Sequence, residues 1–212
     1  MTNRVLVEEI LDHLPADDPD AIASRRDLLR LNRIFGNFRW IKRALSGATE
    51  VVELGAGDAH LARQAVELRS DLKWTAIDLA PRPLDLPDSI DWCQGDLFEQ
   101  LPKISGDALV ANLFLHHLDD AQLRELGQQL LRFRLVVCSE PARFRIFHAG
   151  GYALRIFGLN RVTKHDLHVS IDAGFRGREL PEMLGLDPKI WKIGIRHTML
   201  GMYRMVAEKV EP

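Results

Sequence analysis

The sequence predicts an α/β protein, with a mostly parallel sheet preceded by an N-terminal helical cap. Three observations lead there. Beyond residue 47, strand-like runs alternate with helical periodicities, and that alternation calls for right-handed crossovers and parallel pairing. The first of these strands ends in Gly-Ala-Gly-Asp just before a helix. Such a turn lets a ligand approach the backbone closely and leaves helix N-terminal amides free for polar groups. The first 46 residues, by contrast, carry apolar side chains at helical spacing.

Within residues 1–46, Val7, Ile10, Leu11 and Leu14 form one short stripe. Leu28, Leu31, Phe35, Phe38, Ile41 and Leu45 form a second, spaced by three or four. The acidic PADDPDA separates them, and Gly36 is placed to break the second helix. The other face of 25–43 is basic (Arg25, Arg26, Arg30, Arg33, Arg39, Lys42 and Arg43). It reads as a solvated face, with attraction to an anionic acceptor or a membrane surface as the alternatives.

TEVVEL (49–54), KWTAID (73–78), SIDWCQ (89–94), DALVANLFL (107–115) and RLVVCS (134–139) read as strands. HLARQAVEL (60–68) and AQLRELGQQLL (121–131) read as helices. Pro81, Pro83 and Pro87 exclude a full crossover helix between the second and third strands, so a loop is expected there. Residues 142–159 suggest an amphipathic helix weakened by Gly150 and Gly151, with Phe144, Phe147, Tyr152, Ile156 and Phe157 on its apolar side. Those aromatics and Trp40 are expected to pack on the sheet or to form a lid. A short helix is expected in 174–186, and KIWKIGIRH and MYRMVAEKV are expected to form a hairpin at the sheet edge.

Composition narrows the function. The 212 residues are 46% hydrophobic and 27% charged, with a formal net charge of −2. That is an ordinary soluble balance with no pull toward nucleic acid. Cys93 and Cys138 lie in strand-like runs and are expected to be reduced core residues of a cytoplasmic protein. Glu8, Glu9 and Asp12 interrupt the first residues, so these do not read as a signal peptide. No apolar run is long enough to predict a membrane span. In GAGDAHLA, His60 stands where a dinucleotide fingerprint needs its third glycine, which argues against NAD.

VVELGAGDAH, TAIDLA, WCQGDLFEQLP and DALVANLFLHHLDD, in that order over roughly residues 45–140, resemble class I S-adenosylmethionine-dependent methyltransferases. The resemblance implies a Rossmann-like seven-stranded sheet with the last strand antiparallel. It also implies that S-adenosylmethionine, with S-adenosylhomocysteine as product, lies across the strand ends. On it, Glu53, Gly55, Ala56 and Gly57 surround the amino-acid part of the cofactor. Asp78 holds the ribose hydroxyls and Leu79 packs on the adenine. Asp96 and Leu97 flank the adenine, and Asn112 with Leu113 lies near the methyl group. LRLNRIFGNFRW, SEPARFR and TKHDLHVSIDAGFRGREL add a narrower similarity, to methyltransferases encoded beside bacterial type III polyketide synthases.

The implied organisation is a cap at 1–46 and a cofactor-binding domain at 47–212, with a substrate-cap insertion around 142–186. The expected reaction is methyl transfer to a small, largely apolar acceptor, at an oxygen of a phenol or quinol. An aromatic polyketide or a lipid-tailed phenol would fit. The rival is a non-catalytic protein that binds the same cofactor. A phenol, with a pKa of about 10, profits from a general base, and His116 and His117 follow the fourth strand where ligands bind in such sheets. They and Glu140, after the fifth strand, are the catalytic candidates. His165, Asp166 and His168 are further acceptor-side candidates. Val169 and Ile171 nearby read more like strand or loop, no cysteine joins the histidines, and no metal site is expected. A monomer or homodimer with no nucleic-acid partner and no stable membrane insertion completes the expectation.

Overall fold

β-Branched and aliphatic residues pair as expected after the cap. In the computed structural model, which describes residues 3–148 and 158–210, they form β1 (Glu50–Leu54), β2 (Lys73–Asp78), β3 (Ile90–Gln94), β4 (Ala108–Asn112), β5 (Leu135–Pro141), β6 (Trp191–His197) and β7 (Met202–Lys209). One seven-stranded sheet runs in the order β3-β2-β1-β4-β5-β7-β6. β1 to β5 are mutually parallel, and β7 is antiparallel to both of its neighbours. The terminal hairpin therefore places β7 inside the sheet and leaves β6 at the edge. Strand order reverses between β1 and β4, and the crevice beyond their C-terminal ends is where such sheets bind ligands.

Helices cover both faces: α1 (Ile10–His13), α2 (Pro19–Phe35), α3 (Asn37–Ala44), α4 (His60–Leu68), α5 (Leu97–Gln100), α6 (Asp120–Leu130), α7 (Arg161–Ala173) and α8 (Glu179–Met183). Ile41 and Leu45 with Leu61, Ala62 and Ala65 pack on Trp74, Val110 and Val137. On the opposite face, Leu123, Leu126, Leu130 and Leu180 pack with Leu109, Val136 and Tyr203. The proline-rich 79–88 segment contains no helix. No described helix is long and apolar enough to cross a membrane.

The cap departs from the expected helix in its first part. Residues 3–9 are not helical, and Val7 is exposed. They form an extended strap. Val5 N–H donates to Asp172 O at 3.1 Å, and the Arg4 guanidinium donates to Ala173 O, His116 O and Leu118 O. α1 starts where the Ile10 and Leu11 amides meet Asp166 Oδ1 and Oδ2, at 2.9 and 3.0 Å. An acid at a helix N-terminus satisfies free amides and complements the dipole; here a distant helix supplies it. Gly36 separates α2 from α3 as expected, with φ of 67°.

The strand or loop reading near Val169 and Ile171 is also corrected, since both lie in α7. Asn160 caps that helix, and Thr163 bonds Ser24 of α2 at 3.0 Å. This tertiary packing outweighs a weak β preference. Of the 142–159 helix, residues 145–148 are helical. Gly150, Gly151, Tyr152, Ile156 and Phe157 lie outside the described residues.

Candidate active site

A cavity of about 1020 Å³ opens at the C-terminal ends of β1, β2 and β4. Its lining includes Glu53, Gly55, Ala56, Gly57, Asp78, Leu79, Asp96, Leu97, Asn112, Leu113, His116 and His117. The volume sits at the upper end of ordinary ligand sites, enough for a cofactor with a second molecule beside it.

The glycine turn is held from β2. Gly57 N–H donates to Asp78 Oδ2 at 2.7 Å, and Ala80 N–H donates to Asp78 Oδ1 at 2.8 Å. The two glycines answer different needs. Both have positive φ, 63° at Gly55 and 53° at Gly57, where a side chain is disfavoured. A Cβ on Gly55 would lie 2.1 Å from the Phe114 ring, whereas one on Gly57 would meet nothing within 4 Å. Gly55 is thus required by the protein's own packing, and Gly57 leaves space for a ligand. Gly55→Ala is expected to displace Phe114 and lower the melting temperature by several degrees, an overpacking cost of about 1–3 kcal/mol. A melting curve matching the wild type would refute the assignment.

Glu53 lies in the wall and accepts from Trp74 Nε1 at 2.9 Å. Burial pushes its carboxyl up to about 8, against the Trp74 bond and with help from Asp78. Asp96 caps α5 through Phe98 N–H. His60, at the start of α4, also faces the cavity, with Nε2 4.0 Å from Asp58. At the end of β4, Asn112 Nδ2 donates to Asn32 Oδ1 at 3.0 Å. Asn37 Nδ2 donates to the same oxygen. Asn112 Oδ1 is buried and has no protein partner. A buried acceptor left open in a cavity wall calls for a ligand donor. With Glu53 beside the open space over Gly57, it suits a hydrogen-bond donor such as an ammonium group.

Leu113 follows with φ of 56°, an unfavourable backbone for leucine. This bend turns the next amides onto one buried carboxylate. Glu140 accepts from Phe114, Leu115 and His116 N–H groups at 3.1, 3.0 and 3.4 Å, and pairs with His116 Nδ1 at 2.8 Å. Glu140 is fully buried behind this turn and does not line the cavity. It neither faces an acceptor nor caps a following helix; it orients His116.

The other His116 nitrogen, Nε2, lies 3.4 Å from Glu9 Oε1. Glu9 also accepts from the Ser170 hydroxyl. Burial alone would depress the His116 pKa, but the bonds to Glu140 and Glu9 outweigh it and push the imidazole up to about 9. His117, its ring centroid 4.3 Å away, is driven the other way. Burial and the neighbouring His116 charge pull it down to about 4. At neutral pH these shifts favour a single positive charge on the pair, at His116. Asp12 stands 3.7 Å from His117 Nδ1, and burial together with Glu9 and Asp166 raises it to about 6.

Glu9, His116 and His117 place ligand-type atoms within 4.8 Å of one another, a grouping absent from the expected histidine set. His165 pairs with Asp166 and lies outside the cavity lining; His168 stacks on His148. Glu9, Asp12, Arg4 and Asn32 escaped the sequence reading.

No family model matches the chain. Two curated relatives from Ocimum basilicum, eugenol O-methyltransferase and chavicol O-methyltransferase, are 30% and 29% identical over 83 residues. That stretch covers 38% of this chain and 23% of each relative. Among solved structures, the plantazolicin methyltransferase BamL, in complex with a triazolic desmethylPZN analog and SAH, superimposes with a TM-score of 0.75 at 8% identity, over 95% of this chain and 93% of its own. The pyocyanin biosynthetic protein PhzM superimposes with a TM-score of 0.64 at 20% identity, over 96% and 62%. At such identities the likeness concerns the fold alone, and this chain shares the Rossmann-like fold of those proteins.

Proposed function

We propose that the protein is an S-adenosylmethionine-dependent methyltransferase acting on an oxygen of a small, largely apolar acceptor such as a phenol or quinol. The carrying observation is that one cavity holds both the glycine-turn residues and His116. Glu53 and Asn112 would hold the amino-acid part of the cofactor, Asp78 its ribose, and Leu79, Asp96 and Leu97 its adenine side. When bound, S-adenosylmethionine supplies an electrophilic sulfonium methyl.

The chain's own task is to position and deprotonate the acceptor. His116, fixed through Nδ1 by Glu140 and with Nε2 beside Glu9, lines the cavity, and in its deprotonated form it would take an acceptor proton. Its raised pKa brings it closer to that of a phenol, which favours the transfer. Glu9 steadies the resulting imidazolium, and neutral His117 can hydrogen-bond the acceptor. Leu28, Leu29, Phe35, Leu167 and Ile171 line the rest with apolar surface, room for an aromatic polyketide or a lipid-tailed phenol. Glu140 acts through His116 as a positioning residue.

Calorimetric titration with S-adenosylhomocysteine, with NAD as control, tests the cofactor. Micromolar binding of the first alone is expected. Asp78→Ala is expected to weaken it at least tenfold, because it removes the ribose contact and frees the Gly57 amide. Unchanged affinity would show that Asp78 does not hold the ribose. Tight binding with no methylation across a phenol and quinol panel would favour the non-catalytic rival.

A further inference from the structure

Charge is segregated in a way the net value of −2 conceals. The chain carries 28 Lys and Arg against 30 Asp and Glu. Yet residues 28–49 and 188–207 contain no acid at all, and neither do 141–148. These three segments meet at one rim of the cavity. Arg204 Nη2 donates to Phe35 O at 2.7 Å and its guanidinium sits over Trp40, 5.0 Å from the ring centroid. Asn37 Nδ2 reaches Met202 Sδ. The turn between β6 and β7 thus lies against the α2–α3 junction, and Phe147 packs at Gly201.

The same rim exposes large apolar side chains. Met199 is 97% exposed and Leu200 53%, at the hairpin tip; Ile34 is 47% exposed and Ile146 72%. Met199, Leu200 and Ile34 also line the cavity, so these exposed groups border its opening. Arg33 and Arg145 are the exposed chain neighbours of Ile34 and Ile146, and Arg39 and Arg196 are exposed within the same acid-free segments. Apolar tips surrounded by arginines match an interface between anionic headgroups and acyl chains. RNA would use the arginines but gains little from methionine and leucine tips.

We propose that this rim docks on the surface of an anionic lipid bilayer, with the hairpin tip inserted among the headgroups and the cavity opening toward the membrane. Resting on the proposed function, this would let a lipid-tailed acceptor pass into the cavity without crossing water. The docking itself depends only on the rim.

Flotation of the full chain with vesicles tests it. Vesicles of phosphatidylcholine with phosphatidylglycerol are expected to carry the protein, and phosphatidylcholine alone much less. Salt at about 1 M should release it, because screening then acts within a few ångströms. Met199→Glu with Leu200→Glu is expected to cut partition by at least about tenfold, since two buried apolar side chains are lost. Leu68→Glu, an exposed site on α4, serves as the control that retains binding. Thermal melting of each variant shows that it is folded. Equal loading of both vesicle types, no loading at low salt, an unaffected hairpin variant, or binding to single-stranded RNA that outcompetes the vesicles would each overturn the proposal. Calorimetry with S-adenosylhomocysteine on the same samples separates failure of the docking from failure of the cofactor reading.

Discussion

Replacing Glu140 with alanine is expected to cost about 3–5 kcal/mol of stability and, in a chain of this size, to lower the melting temperature on the order of 10 °C. The cost has two sources. Three backbone amides lose their acceptor, and His116 keeps a buried charge whose nearest partner is gone. Glu140→Gln separates them, since it keeps an acceptor and removes the charge. The pH dependence has a definite sign. The His116 pKa is raised in the folded chain to about 9, so its pairing stabilises fully below the unfolded value of about 6.5. That contribution disappears as pH rises through about 9. The gap in melting temperature between wild type and Glu140→Gln should therefore be widest near pH 6 and narrow toward pH 9.5. A gap that stays constant with pH would mean that the ion pair contributes nothing.

The second large effect concerns turnover. On the proposed reading, His116→Ala is expected to lower kcat about 10²–10⁴-fold, the usual worth of a general base, with S-adenosylhomocysteine affinity unchanged. In the wild type, kcat/KM should climb with pH as His116 gives up its proton, levelling off near 9 instead of near 6.5. Glu9→Gln removes one of the two carboxylates that hold the proton, so the limb should move to lower pH while the maximal rate changes less. A His116→Ala enzyme with full activity, or a limb insensitive to Glu9→Gln, would transfer the base role to another group.

These two experiments touch parts of the site of unequal legibility. The cofactor half was readable because its cause is local. A strand, a glycine turn and a helix follow one another in sequence, and Glu53, Gly55, Gly57 and Asp78 fall at fixed offsets in that order. β2 and α4 begin and end where alternation and helical spacing begin and end. The acceptor half is assembled from distant pieces. Glu9 reaches His116 across 107 positions and Arg4 reaches Ala173 across 169, and nothing near residues 3–12 announces those partners. The apolar stripe of Val7, Ile10, Leu11 and Leu14 suggested a helix there, because periodicity sees only near neighbours. Glu140 was legible as important by position, but not its role, since Leu113's bend is what delivers three amides to it. α7 was misread near Val169 and Ile171 because its stabilisation comes from Ser24, Asp27 and the strap.

The strap has a consequence for how the chain matures. It is made before the elements it is anchored to, and its anchors, Asp166, Asp172 and Ala173, come more than 150 residues later. Contacts this remote in sequence form late, after the loop between them has closed. Most of the parallel sheet and the glycine turn can therefore pair while the first residues still wait for α7. The His116 imidazole acquires its second carboxylate only at the end. A nascent chain halted before residue 160 would contain the cofactor half of the cavity and lack the half that controls the acceptor proton.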